Sequence, residues 1–97
     1  MPTYIVLFNW TDQGMRTAKE TINRATAERQ AAQALGVRVT AHYWTQGQYD
    51  GVLIVEAPDD EAMSRFSLSA GIQGSVSTVS MRAFSEEEMR RILQGLP

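Results

Sequence analysis

Short stretches of alternating or continuous hydrophobicity, separated by longer stretches with three- to four-residue spacing, set the order of elements. Residues 3–9 (TYIVLFN) are β-branched and aromatic and stop at Asn9-Trp10-Thr11-Asp12, which predicts a first strand ended by a turn. In the following stretch Met15, Ala18, Ile22, Ala25, Ala32 and Leu35 recur at helical spacing, with Gly36 where a helix C′ residue belongs. Gly14 and the hydroxyls of Thr11, Thr17 and Thr21 leave room for a short first turn that breaks before residue 19. Residues 37–44 (VRVTAHYW) alternate as a second strand, and 51–57 (GVLIVEA) form a third, with a Gly- and Asp-containing hairpin connection between them. Pro58 ends the third strand, and Asp59 or Asp60 caps a helix over Glu61 to Leu68. A loop bounded by Gly71 and Gly74 leads to a fourth strand over 76–84. Ser85 and Glu88 then form a capping-box pattern ahead of Met89, Ile92, Leu93 and Leu96 on one side of a closing helix.

This β-α-β-β-α-β-α order has no repeat and no domain linker, so residues 1–97 are read as one domain. It predicts an α+β fold, a ferredoxin-like βαββαβ sandwich with a C-terminal helix, both main helices lying on one face of the sheet. Splitting the strands by parity assigns Ile5, Leu7, Val37, Val39, Ala41, Tyr43, Leu53, Val55, Val79 and Met81 to the helix side. The helix-free side then receives Tyr4, Val6, Phe8, Trp10, Trp44, Val52 and Ile54, together with His42, Glu56, Thr78, Ser80 and Arg82. So apolar a face does not stay wet, and a second copy packed against it, as in a dimeric α/β barrel, is the economical cover.

Composition narrows the partners. A formal net charge of −2 and a pI of about 5.3 provide no basic footprint for nucleic acid or anionic lipid. The longest apolar run, Tyr4 to Phe8, is far below the ~20 residues of a membrane helix, and no signal-peptide pattern is present; the chain reads as soluble and cytoplasmic. With no cysteine there is no disulfide or thiolate chemistry, and one histidine among scattered carboxylates has no metal-ligand spacing. Neither a metal nor a cofactor is expected.

His42, the sole histidine, carries the candidate catalysis. A hairpin register in which Trp44 opposes Val52 makes His42 and Glu56 a diagonal pair, a carboxylate orienting an imidazole base. The alternative is a cavity histidine satisfied by a hydrogen bond. Tyr4, Trp10, Trp44, Tyr49, Asp50 and Arg82 are candidate ligand-binding residues. All but Tyr4 have a structural counterpart reading: aromatic interface anchors for the tryptophans, a turn for Tyr49 and Asp50, an ion pair with Glu56 for Arg82. No phosphate loop, nucleophile elbow or dinucleotide fingerprint occurs.

The opening MPTYIVLFNWTDQG, YWTQGQYDGV at 43–52, VEAPDDEA at 55–62 and the RAFSEEEM ending together resemble the GYD domain family of small bacterial proteins, over essentially the whole chain. The Gly-Tyr-Asp element reads Gly47, Tyr49 and Asp50, with Gln48 interposed. The resemblance implies a ferredoxin-like fold of the dimeric α/β barrel type and no established activity, substrate or cofactor. Ser75 and Ser77 depart from it where bulkier polar residues are expected. The leading expectation is a homo-oligomer binding a small molecule in a cavity on the helix-free sheet face. The alternatives are a cofactor-free oxygenase- or isomerase-type enzyme using His42, and a purely structural assembly module.

Overall fold

In the computed structural model, which describes residues 1–97, the strands are β1 (Thr3–Trp10), β2 (Arg38–Trp44), β3 (Gly51–Glu56) and β4 (Val76–Ala83). They form one antiparallel sheet in the order β2-β3-β1-β4, the ferredoxin-like arrangement expected from the element order. The helices are α1 (Asp12–Arg16), α2 (Thr21–Ala34), α3 (Asp60–Ile72) and α4 (Glu86–Gln94), with a 3₁₀ turn over Ala18–Glu20.

Local chemistry sets the boundaries. Thr11 caps α1 by accepting from the Gly14 amide, and its own amide donates to the Ser75 carbonyl at 3.1 Å. Gly14 is pressed so closely on that loop that a Cβ there would stand 1.9 Å from the Ser75 oxygen. Ser75 is itself buried, so the small residue that departs from the expected pattern sits where there is little room. The helical run breaks at the 3₁₀ turn, and Arg24 latches the break by donating Nη1 to the Thr17 carbonyl at 2.8 Å and hydroxyl at 2.9 Å. Asp59 caps α3 through the Ala62 amide, and the Ser85–Glu88 capping box starts α4. Gly36, at φ 74°, ends α2 in the left-handed region as its position predicts.

Parity assignments for two strands are reversed. Directly opposed residues share a face in an antiparallel pair, and Tyr4 opposes Val55, Val6 opposes Leu53 and Phe8 opposes Gly51. Tyr4, Val6 and Phe8 are therefore under the helices, buried with Leu53, Val55, Ala57, Met63 and Phe66. β4 follows β1: Thr78, Ser80 and Arg82 turn to the helix side, while Val79 and Met81 reach the other face. In β2 a register shift between Val39 and Ala41 switches parity midway, so Val39 faces the core and Ala41 and Tyr43 do not. The physical cause lies in the helices. Their buried contacts include Ala25, Ala32, Ala62 and Ala70, which bring backbone close to the sheet but supply little volume. The bulky rings must then come from the strands.

The helix-free face is still apolar, with a different membership. It presents Ile5, Leu7, Val52 and Ile54, all half-buried, and Val79 and Met81, 51% and 43% exposed. The molecule is only 18 Å thick along its shortest axis, which leaves no layer over this face. α4 buries none of its residues, and Met89, Ile92, Leu93 and the following Leu96 all remain exposed.

Candidate functional site

The side chains singled out by sequence fall into three places. His42 and Trp44 lie on the helix side of β2. The His42 ring stacks on Trp44 at 4.0 Å and meets the edge of Phe8 at 5.6 Å. Trp44 in turn donates its indole N–H to the Thr21 hydroxyl at the start of α2. His42 opposes Leu53 across the hairpin, whereas Glu56 opposes Arg38 on the helix-free face and pairs with it at 2.8 Å. The expected His42–Glu56 diagonal is thus absent. The bulge inserts one residue between them and sends the two side chains to opposite faces.

Tyr4 and Arg82 meet near the other end of the sheet. The Tyr4 hydroxyl donates to Asp60 Oδ1 in the first turn of α3 at 2.6 Å. That hydrogen bond, with burial and the Asp60 charge, holds the phenol above its ordinary pKa. Arg82 lies over the Phe84 ring at 4.6 Å, donates to the carbonyls of Thr3 and Ala83, and pairs with Glu88 at 3.2 Å rather than with Glu56. The Ser85 amide, and after it the Arg82 guanidinium, keep the Glu88 carboxyl below the usual range. A shallow groove of about 480 Å³ between α3 and β4 is lined by Tyr4, Asp60, Ser67, Ser80 and Arg82.

Asp50 closes the third place. Its carboxylate accepts from the Trp10 amide at 2.9 Å, and its own amide donates to the Phe8 carbonyl, so it ties the hairpin to the end of β1. The Tyr49 carbonyl accepts from the Thr45 hydroxyl, and Gly47 adopts φ 109° at the tip. This is turn architecture.

Sequence reasoning passed over Arg24 and Glu28 on α2. With Thr21, His42, Phe66 and Thr78 they line a small internal cavity of about 30 Å³ between α2, α3 and the sheet. Arg24, Glu28, Phe66 and Ala70 also border a groove of about 280 Å³ between α2 and α3. Burial pushes the Glu28 carboxyl up, partly offset by the Arg24 charge. Burial, assisted by the Arg29 charge, pushes the His42 imidazole below its ordinary pKa. The Nη2 of Arg24, the Nε2 of His42 and the Nε1 of Trp10 are buried without a hydrogen-bond partner. The polar residues at Arg24 and Glu28 interrupt what would otherwise be a small-residue helix face, and that interruption was the available signal. No three His, Asp or Glu residues converge in a way that holds a metal ion, and no helix is long and apolar enough to cross a membrane.

Comparison with known proteins gives a consistent picture. The GYD domain model matches residues 4–93. The chain is 39% identical over 84 residues to a Thermus thermophilus protein named glutamine synthetase and cystathionine beta-lyase binding protein, covering 86% of this chain and 88% of that one. The crystal structure of TTHA0845, also from Thermus thermophilus, superposes with a TM-score of 0.55 at 25% identity, covering 88% of this chain and 95% of that one.

Proposed function

The chain belongs to the GYD domain family, and from that premise we propose that it is a self-associating protein that binds other proteins. In this reading a second copy closes the helix-free sheet face, and α4 is the element offered to the non-self partner. Surface area carries the proposal. A compact monomer of 10.8 kDa is expected to expose about 5,500 Å², whereas this chain exposes 6538 Å². The surplus, on the order of 1,000 Å², matches the ~800 Å² that one partner buries in a standard stable interface.

Its location supports the same reading. Ile5, Leu7, Ile54, Val79 and Met81 form a face rather than scattered apolar residues. A sheet face is self-complementary under two-fold symmetry, which a closed homodimer requires. Spaced at three and four residues, Met89, Ile92, Leu93 and Leu96 fit the helix-in-groove mode of recognition. The relative's name supports a role in binding enzymes, and no catalytic pair is assembled around His42.

Purified glutamine synthetase and cystathionine β-lyase from the organism encoding this chain are the first partners to test by gel filtration and calorimetry. Saturable binding lost in Ile92→Glu, with self-association intact, is the expected result. Binding by neither enzyme, or binding indifferent to Ile92→Glu, would count against the docking role of α4.

A further inference from the structure

We propose that the cavity between α2, α3 and the sheet is a binding site for a small apolar carboxylate, its anionic group taken by Arg24 and its apolar body laid against Phe66 and Ala70. This site is on the opposite side of the sheet from the self-association face, and it does not depend on that reading.

The observation behind it is an incomplete electrostatic arrangement. Arg24 is fixed by Thr17 through one terminal nitrogen, while the other is buried and unpartnered. The close ion pairs of the chain use Arg38, Arg65, Arg82, Arg90 and Arg91; Arg24 makes none, and its charge reaches the Glu28 carboxyl only at a distance. A buried N–H on a cation without an acceptor is costly, and a carboxylate is the acceptor that matches a guanidinium best. On the facing strand, the Nε2 of His42 is also buried without a partner. One ligand carboxylate, accepting from Arg24 Nη2 with one oxygen and from a His42 ring protonated on Nε2 with the other, would answer both unmet positions.

Charge and shape restrict the class. Glu28 also lines the cavity, so a dianion such as a phosphate ester would meet a carboxyl that a monoanion can tolerate. Ala27, Ala31, Ala32, Phe66 and Ala70 line the adjoining groove where the body would lie, which favours a hydrocarbon or aromatic body over a sugar. The inner cavity, about 30 Å³, holds little more than a water, but the adjoining groove of about 280 Å³ lies near the ~300 Å³ lower end of small-molecule pockets.

Phenylacetate and its neutral analogue phenylacetamide separate this proposal from a water-filled gap. Each is titrated into isotopically labelled protein while the His42 ring, Phe66 and Ala70 resonances are followed. Phenylacetate is expected to give saturable shifts there with a Kd at or below ~1 mM, and phenylacetamide to bind at least tenfold more weakly. Arg24→Gln should abolish the difference, and Arg90→Gln on α4 should leave it unchanged. Equal binding of acid and amide, shifts confined to residues outside the cavity, or no saturation by ~10 mM phenylacetate overturns the proposal. The acid–amide comparison uses the unmutated chain, so it decides the matter even where Arg24→Gln fails to fold.

Discussion

The ring of Phe8 occupies the space above Gly51: a Cβ on Gly51 would stand 2.1 Å from Phe8 Cζ and 2.7 Å from the Tyr43 carbonyl oxygen. Phe8 and Gly51 are directly opposed across β1 and β3, and the missing side chain lets the ring lie over the start of β3 beside His42. Gly51→Ala forces the ring and the hairpin apart. Overpacking of this kind costs about 1–3 kcal/mol, and for a domain of this size each kcal/mol shifts Tm by ~4–8 °C. A melting curve unchanged by Gly51→Ala would show that the ring does not rest on this glycine.

Tyr4 anchors the first turn of α3 to the central strand through Asp60. Tyr4→Phe keeps the buried ring and removes only the 2.6 Å hydrogen bond, so a loss of about 1–2 kcal/mol is expected by chemical denaturation. The same bond raises the folded-state phenol pKa above the ordinary value of 10.0. Its stabilisation is therefore complete below pH 10 and lost as pH rises through the folded-state value. Ultraviolet titration should show Tyr4 ionising above its ordinary value of 10.0, in a step that Tyr4→Phe removes.

His42 has the opposite linkage. Its folded-state pKa lies below the ordinary 6.5 because burial, and then Arg29, disfavour the imidazolium. The unfolded chain thus binds the proton more readily, and stability falls as pH drops below about 6.5 toward the folded-state value. Glu28, raised by burial, acts in the other sense as pH rises above its ordinary 4.5. As pH falls from about 7.5 to 5.5, the denaturation midpoint of the unmutated chain should drop relative to that of His42→Phe, which keeps the Glu28 contribution and loses that of His42. Identical slopes in the two proteins would mean that His42 titrates normally.

The order of elements, the caps at Asp59 and Ser85, the C′ glycine at Gly36 and the break near residue 19 were legible because each rests on chemistry confined to a few neighbouring residues. The orientation of β1 was not. Its side chains are apolar on both sides, and only the pairing of Tyr4 with Val55 and Arg82 decides which side turns inward. Similarly, alternation cannot reveal the bulge after Val39, although it carries His42 away from Glu56. A helix-free face rich in apolar residues emerged from both assignments, since β1 and β3 offer branched or aromatic side chains whichever way they turn. Arg24 escaped notice because an arginine on a helix reads as solvated until the latch to Thr17 and the neighbouring cavity are seen.

Disrupting the sheet face should act on assembly and spare the fold. Ile54 pairs with Ile5 near the middle of that face, so Ile54→Glu is expected to raise the self-association Kd by at least about tenfold while circular dichroism stays unchanged. A variant that unfolds instead would place Ile54 in the core of the single chain.

Sedimentation of the unmutated chain across the micromolar range tests self-association most directly. A species at twice the 10.8 kDa chain mass, dissociating only on dilution, is the expected result. A stably folded 10.8 kDa particle at every concentration would contradict it, because the face of Ile5, Leu7, Ile54, Val79 and Met81 would then be at rest in water.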